Sequence, residues 1–188
     1  MTNKISLQDF KNSPWHDALL ESVVDMINEG NTKDLGKILQ DAAEKLVNRR
    51  LNEEGIKSEK ITCDGYDLLT EKYNRVQVKY RYVNGKTPFS KQLHFETTRR
   101  NSKKNEGVAS KSGHVSYSID EFDYVAPVIV HGAKDMTPIQ YLNSLNDAKI
   151  LLIKVSELED PERKGCCLNS IPSKVLQNNQ SNSLEILK

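Results

Sequence analysis

The 188-residue chain is poor in cysteine and has neither a long hydrophobic run nor a nucleophilic serine or cysteine in a recognisable context. Its three cysteines, Cys63, Cys166 and Cys167, lack CxxC spacing and are odd in number, which argues against a zinc ribbon or a disulfide framework. The longest apolar runs, 124–130 and 150–153, have the length of core strands and are far shorter than a membrane span. The N-terminus, MTNKISLQDF, has no apolar segment of a secretory signal. We therefore expect a cytoplasmic protein with no membrane partner.

The composition is that of an ordinary globular chain, with 28% charged and 37% hydrophobic residues. The length predicts a single domain spanning residues 1–188, with a core over about 33–155 and a polar C-terminal tail.

Charge is distributed unevenly along the chain. The segment 75–111 holds ten Lys or Arg residues and two acids, a local net charge of +8, whereas residues 1–30 are mildly acidic. Such a basic segment is either a solvated surface or the contact area for a polyanion such as duplex DNA.

The periodicity of apolar residues predicts helices first and strands afterwards. Apolar residues recur at helical spacing in two segments near the N-terminus, and Thr137 before Pro138 predicts the start of a short helix ending near Leu145. Residues 99–118, rich in Lys, Ser, Asn and Gly, are typical of a loop. The predicted helices cover 16–29 and 33–54, and the predicted strands cover 75–82, 92–98, 122–130 and 148–155. This order predicts an α/β fold with a mixed sheet flanked by helices.

The segment GYDLLTEKYNRVQVKYRY (65–82) is typical of a β-hairpin with polar groups on one face. If 67–71 pairs with 75–82 and the chain reverses near Tyr73, Asp67 lies opposite Lys79 and Leu69 opposite Gln77. Opposed residues and residues two apart point to the same face, so the side chains of Asp67, Gln77 and Lys79 converge. Asp64 has the opposite parity; the pairing favours Asp67 over Asp64 as a ligand and leaves the choice open.

A carboxylate, an amide oxygen and backbone carbonyls are ligands suited to Mg²⁺, and a lysine beside them supplies a point charge to a phosphate. Together they favour metal-assisted hydrolysis of a phosphodiester. The alternative interpretation is that Gln77 and Lys79 are only the solvated face of an amphipathic strand.

The pairing of GYD (65–67) with QVK (77–79) resembles the PD-(D/E)xK nuclease motif in its glutamine form, as in some restriction enzymes and Mrr-type nucleases. Residues 44–56, EKLVNRRLNEEGI, are similar to the helix that precedes this motif, and Glu44 takes the matching acidic position. The resemblance covers roughly 33–130. It implies a restriction-endonuclease-like αβββαβ core and a catalytic set of Asp67, Gln77, Lys79 and Glu44, in which Asp67, Gln77 and Glu44 bind Mg²⁺.

More closely, the chain resembles the small catalytic subunit of heterodimeric type IIS restriction endonucleases. That resemblance implies a partner, a larger subunit that recognises DNA and nicks the other strand. The alternatives are a stand-alone Mrr-like or junction-resolving nuclease and a non-catalytic nucleic-acid-binding protein. Six basic residues are candidate DNA contacts: Arg81, Arg99, Arg100, Lys103, Lys104 and His114.

Overall fold

The computed structural model describes residues 7–12, 15–30, 32–61, 65–84, 98–100, 114–133, 136–168 and 170–185. The helices in these ranges are α1 (Leu7–Lys11), α2 (Trp15–Asn28), α3 (Thr32–Glu53), α4 (Pro138–Asn146) and α5 (Ser173–Asn178). Thr137 caps α4 as the sequence predicts. Its hydroxyl accepts the Gln140 backbone N–H, and the Gln140 side chain accepts the Thr137 backbone N–H. None of these helices is both long and apolar enough for a membrane crossing.

The strands of the described residues form one mixed sheet and one small ribbon. They are β1 (Ser58–Lys60), β2 (Leu68–Thr70), β3 (Asn74–Asn84), β4 (Thr98–Arg100), β5 (His114–Ser116), β6 (Tyr124–Gly132), β7 (Lys149–Ile150), β8 (Ile153–Lys154) and β9 (Leu184–Glu185). The sheet order is β1-β2-β3-β6-β7-β9, with β8 also on β6, and only β3 and β6 run parallel within it. The predicted α/β class, with a mixed sheet flanked by helices, is confirmed.

The hairpin of β2 and β3 has a different register from the predicted one. Leu68 lies opposite Val76 and Leu69 opposite Arg75, a shift of two residues that places Gln77, rather than Lys79, across from position 67. The cause is a tight turn at 71–73, after which Asn74 adopts a left-handed conformation with φ 53°. Asn tolerates this conformation, which the periodicity of the strand does not reveal. A shift of two preserves the side-chain parity, so the predicted shared face of Asp67, Gln77 and Lys79 is retained.

The predicted continuous strand over 148–155 is wrong, because it is divided into β7 and β8. Pro127 of β6 lies at the break and accepts the N–H of Leu151 at 3.1 Å. Proline has no N–H to give back, so the ladder is interrupted at this position.

Both faces of the sheet are buried. Helix α3 covers one face, where Ala43, Val47 and Leu51 pack against the apolar side chains of β3 and β6. The other face packs against segments that follow β8, including the fully buried Leu158 and Leu176. The polar-looking C-terminal segment therefore contributes apolar side chains to the second core.

The basic segment is only partly described. Its predicted loop over 99–118 is corrected at both ends, because β4 and β5 pair as an antiparallel ribbon with Arg99 opposite Val115. The predicted strand over 92–98 lies outside the described residues except for Thr98, and so do Lys103 and Lys104.

Candidate active site

The carboxylate of Asp67 lies at the point where β2 separates from β3. The Asp67 backbone still continues the hairpin, since its N–H donates to the Val76 carbonyl at 3.0 Å. Two residues further along β3, the side chain takes the place of the missing strand: Asp67 Oδ2 accepts the Val78 N–H at 2.7 Å. Gly65, two residues before Asp67, has a φ of 123°, which is strained for any residue with a side chain. The GYD segment therefore has a local structural reason for its glycine.

Gln77 lies beside Asp67 and is buried, with 5% of its surface exposed. Its Nε2 donates to Asp67 Oδ2 at 2.5 Å, so both hydrogen bonds of the Asp67 carboxylate end on Oδ2. Among the described residues, Asp67 Oδ1 accepts no hydrogen bond. One carboxylate oxygen therefore fixes the geometry and the other is left to bind a ligand.

Burial raises the pKa of Asp67 to about 6. The hydrogen bond from Val78 opposes this shift, the negative charge of Glu44 adds to it, and the positive charges of Lys79 and Lys60 reduce it. A carboxylate with this pKa is ionised above neutral pH yet poorly solvated, so a cation that replaces the lost water stabilises it.

Lys79 follows Gln77 on the same face of β3 and is partly exposed. Its Nζ lies 5.4 Å from the centroid of the Tyr117 ring, a cation–π distance that holds the stem of the side chain against the second core. Of the predicted set, Asp67 and Gln77 are joined by a hydrogen bond, and Lys79 is near enough for its charge to lower the pKa of Asp67.

Glu44 reaches the same neighbourhood from α3, and 15% of its side chain is exposed. Its carboxylate forms an ion pair with Lys60 of β1 at 2.7 Å, and Lys60 also contacts Asp41 at 2.7 Å. These two carboxylates raise the pKa of Lys60, with the hydrogen bond to Asp41 as the larger cause. Glu44 is therefore close enough to Asp67 to affect its pKa, but a lysine already neutralises its charge.

The chemical type of these ligand groups suits a magnesium ion. Two carboxylates and an amide are hard oxygen ligands, and Mg²⁺ commonly uses few protein ligands and keeps several waters. Gln77 would bind a metal ion through its amide oxygen. Its amide nitrogen, Nε2, donates to Asp67. In the described parts of the chain, no three His, Cys, Asp or Glu side chains form a metal-holding cluster, so the set depends on this amide.

The candidate DNA contacts are only partly described. Arg81 lies two residues beyond Lys79 on β3, and its Nη1 donates to the Tyr80 carbonyl at 3.2 Å. Arg99 and Arg100 belong to β4 and His114 to β5, where the backbone alone is described, and Lys103, Lys104 and Asp64 lie outside the described residues. Arg75 of the same basic segment is engaged elsewhere, since its guanidinium contacts both carboxylate oxygens of Asp123 at 2.9 and 3.1 Å.

Two residues near the site were missed by the sequence prediction. Gln40 carried a usable signal, because it interrupts the apolar row of Ala43, Val47 and Leu51 one helical turn before Glu44. Lys60 carried none, since a lysine in the polar segment before the hairpin has no pattern that identifies its partners.

Comparisons with known proteins add little to this site. No protein-family model matches the chain. No curated protein matches its sequence. Among solved structures, the chain is similar to a bacterial homing endonuclease, I-Ssp6803I, with a TM-score of 0.38 and 19% identity over 64% of this chain and 69% of the other. A likeness of this size carries no argument about function.

Proposed function

We propose that the chain is a Mg²⁺-dependent endonuclease subunit of type II that hydrolyses phosphodiester bonds in one strand of duplex DNA. The observation that carries this proposal is the hydrogen bond from the buried Gln77 amide to the Asp67 carboxylate, beside a Lys79 whose positive charge acts on that carboxylate. In this proposal a larger subunit reads the sequence and cuts the other strand.

The side chains have distinct roles in this proposal. Asp67, Gln77 and Glu44 supply the oxygen ligands of the metal. Mg²⁺, when bound, supplies positive charge that stabilises the phosphate as it gains charge in the transition state. Gln77 also fixes the orientation of Asp67 through its hydrogen bond. Lys79 directs its ammonium group toward a non-bridging phosphate oxygen, where a point charge without strict directional demands is effective.

The proposed partner follows from the kind of DNA contact that the basic segment 75–111 offers. In this proposal that segment supplies phosphate contacts, and the larger subunit reads the sequence. Contacts of that kind are independent of sequence and give dissociation constants of about 10⁻⁴–10⁻⁶ M at physiological salt. They are too weak to bring an isolated small subunit to a single site in a genome.

The second candidate function is non-catalytic DNA binding. The observation that favours it is the ion pair between Glu44 and Lys60. The ammonium group of Lys60 balances the charge of Glu44 in place of a metal ion. In that case Asp67 and Gln77 only complete the edge of β3, and no divalent ion is needed.

The experiment is digestion of a strand-labelled duplex with Mg²⁺ by the chain alone, by a co-encoded larger subunit alone and by both. We expect a cut in the second strand only in the mixture. Site-specific cleavage of both strands by the chain alone would replace the subunit with a stand-alone nuclease. DNA binding without any cut in the presence of the partner would favour the non-catalytic candidate.

A further inference from the structure

Gln40 is a polar residue in the middle of the apolar face of α3. Buried Ala43, Val47 and Leu51 lie along the same row of the helix, which packs against the sheet. Such a position normally carries an aliphatic side chain, because a buried amide without partners costs free energy. The oxygen and the nitrogen of the Gln40 amide each have a hydrogen-bond partner on β3.

The contacts of Gln40 bracket Lys79. Its Oε1 accepts the Tyr80 N–H at 2.8 Å, and its Nε2 donates to the Val78 carbonyl at 3.1 Å. These are the two backbone groups that β2 would have bonded if it began several residues before Leu68. Together with the Asp67 carboxylate on the Val78 N–H, they complete the edge of β3 with side chains.

The same amide also contacts the fourth member of the predicted site. Gln40 Nε2 lies 3.3 Å from Glu44 Oε1, one turn further along α3. A single side chain thereby joins the carboxylate of α3 to the backbone on both sides of Lys79. An amide suits this arrangement, because it carries a donor and an acceptor at the tip of one side chain.

We propose that Gln40 is a positioning residue. It fixes Glu44 and the backbone around Lys79 relative to each other, so that the side chains of Glu44 and Lys79 reach the same metal ion and phosphate. This inference rests on the proposed nuclease function. Without Gln40, the edge of β3 past Val78 loses its partner and Lys79 gains freedom relative to Asp67. Misplacement by about 1 Å at a catalytic centre costs roughly 10²-fold in rate.

Helix α3 offers a matched control for the test. Asn52, near its C-terminal end, makes the same kind of double contact: its Nδ2 donates to the Ser58 carbonyl at 2.9 Å and its Oδ1 accepts the Ser58 N–H at 3.1 Å. Gln40→Leu and Asn52→Leu therefore each remove one amide clamp between α3 and a strand, and only the first is beside the site.

The experiment measures three properties of the full chain carrying either substitution. Hydrogen exchange at the Tyr80 amide should speed up by tenfold or more in Gln40→Leu and remain unchanged in Asn52→Leu, in which the Ser58 amide exchanges faster instead. Mn²⁺ affinity should fall several-fold in Gln40→Leu alone. Single-turnover cleavage with the larger subunit should fall roughly 10²-fold in Gln40→Leu, with DNA affinity within about twofold of the wild type.

The outcomes separate the two proposals. Equal losses of cleavage and Mn²⁺ affinity in both variants would overturn the positioning role, as would unchanged exchange at Tyr80. If the wild type does not cleave at all, the nuclease proposal fails. The exchange rates and Mn²⁺ affinities still decide whether Gln40 fixes Glu44 relative to the backbone around Lys79.

Discussion

The amide of Gln77 donates to the carboxylate of Asp67 at 2.5 Å, across the gap where β2 leaves β3. The bond joins the two residues that stand opposite each other one position beyond the last pair of the ladder, Leu68 and Val76. A buried, neutral donor lowers the cost of a desolvated carboxylate without cancelling its charge. The pair therefore remains able to attract a cation, which a lysine or arginine in place of Gln77 would prevent.

The first prediction concerns Asp67→Asn and the stability of the metal-free chain. The folded state raises the pKa of Asp67 from 3.8 to about 6, so folded wild type holds a proton that the unfolded chain has released between these pH values. The stability of the wild type should therefore fall as pH rises through this window and stay low above it. Asn does not titrate. We therefore expect the free energy of unfolding of Asp67→Asn at pH 8 to exceed that of the wild type by up to about 3 kcal/mol, at about 1.36 kcal/mol per pKa unit.

Urea unfolding in EDTA from about pH 2 to 8 tests this prediction. The control is Asp41→Asn, because Lys45 and Lys60 lower the pKa of Asp41 and its charge is favourable in the folded state. That substitution should destabilise the chain at neutral pH, and the loss should fade as pH falls below 3.8. A stability difference for Asp67→Asn that does not change with pH would show that burial does not raise the pKa of Asp67.

The sequence predicted the shared face of Asp67, Gln77 and Lys79 because strand parity depends only on alternation. It did not predict which residues are opposed, because the register depends on the left-handed Asn74. It missed the break at Pro127, since the effect of a proline on a neighbouring strand requires the order of the sheet. It also missed the pairing of Glu44 with Lys60, which joins α3 to β1 and has no periodic signature.

The second prediction concerns Lys79→Met, which removes the ammonium and keeps an apolar stem against Tyr117. We expect single-turnover cleavage to fall about 10²–10³-fold, the usual effect of removing one group that stabilises transition-state charge. The midpoint of urea unfolding should change little, because Lys79 is partly exposed. Lys154→Met, which changes an exposed lysine of β8, is the control and should cleave normally. Full activity in Lys79→Met would remove this residue from the site.

The third prediction concerns Lys60, which competes with a metal for Glu44. Lys60→Met should raise Mn²⁺ affinity about tenfold, equivalent to about 1.4 kcal/mol, because it removes an ammonium 2.7 Å from the Glu44 carboxylate. Lys45→Met is the control, since Lys45 contacts Asp41 at 2.6 Å and shares with Lys60 only that partner. Isothermal titration measures both affinities. A fall in affinity for Lys60→Met would indicate that Lys60 supports Glu44 as a ligand.

The fourth prediction concerns Arg99, Arg100, Lys103 and Lys104 as phosphate contacts. Each contact with duplex DNA contributes about −0.9 to the slope of log affinity against log salt concentration. Replacing all four with alanine should therefore flatten the slope by up to about 3.6 in a fluorescence-anisotropy titration. A quadruple alanine variant of four exposed lysines elsewhere controls for net charge: Lys57, Lys154, Lys164 and Lys174. Equal slopes in the two variants would show that the segment is only a solvated surface.

Nicking of supercoiled plasmid DNA tests the central claim most directly. The reaction contains the chain, the co-encoded larger subunit with its own cutting site inactivated, and either Mg²⁺ or EDTA. We expect open-circular product with Mg²⁺, none with EDTA, and none with Asp67→Asn, although this variant should fold and bind DNA. Equal nicking by wild type and Asp67→Asn, or DNA binding without nicking in any divalent cation, would contradict the assignment of this edge of β3 as a nuclease active site.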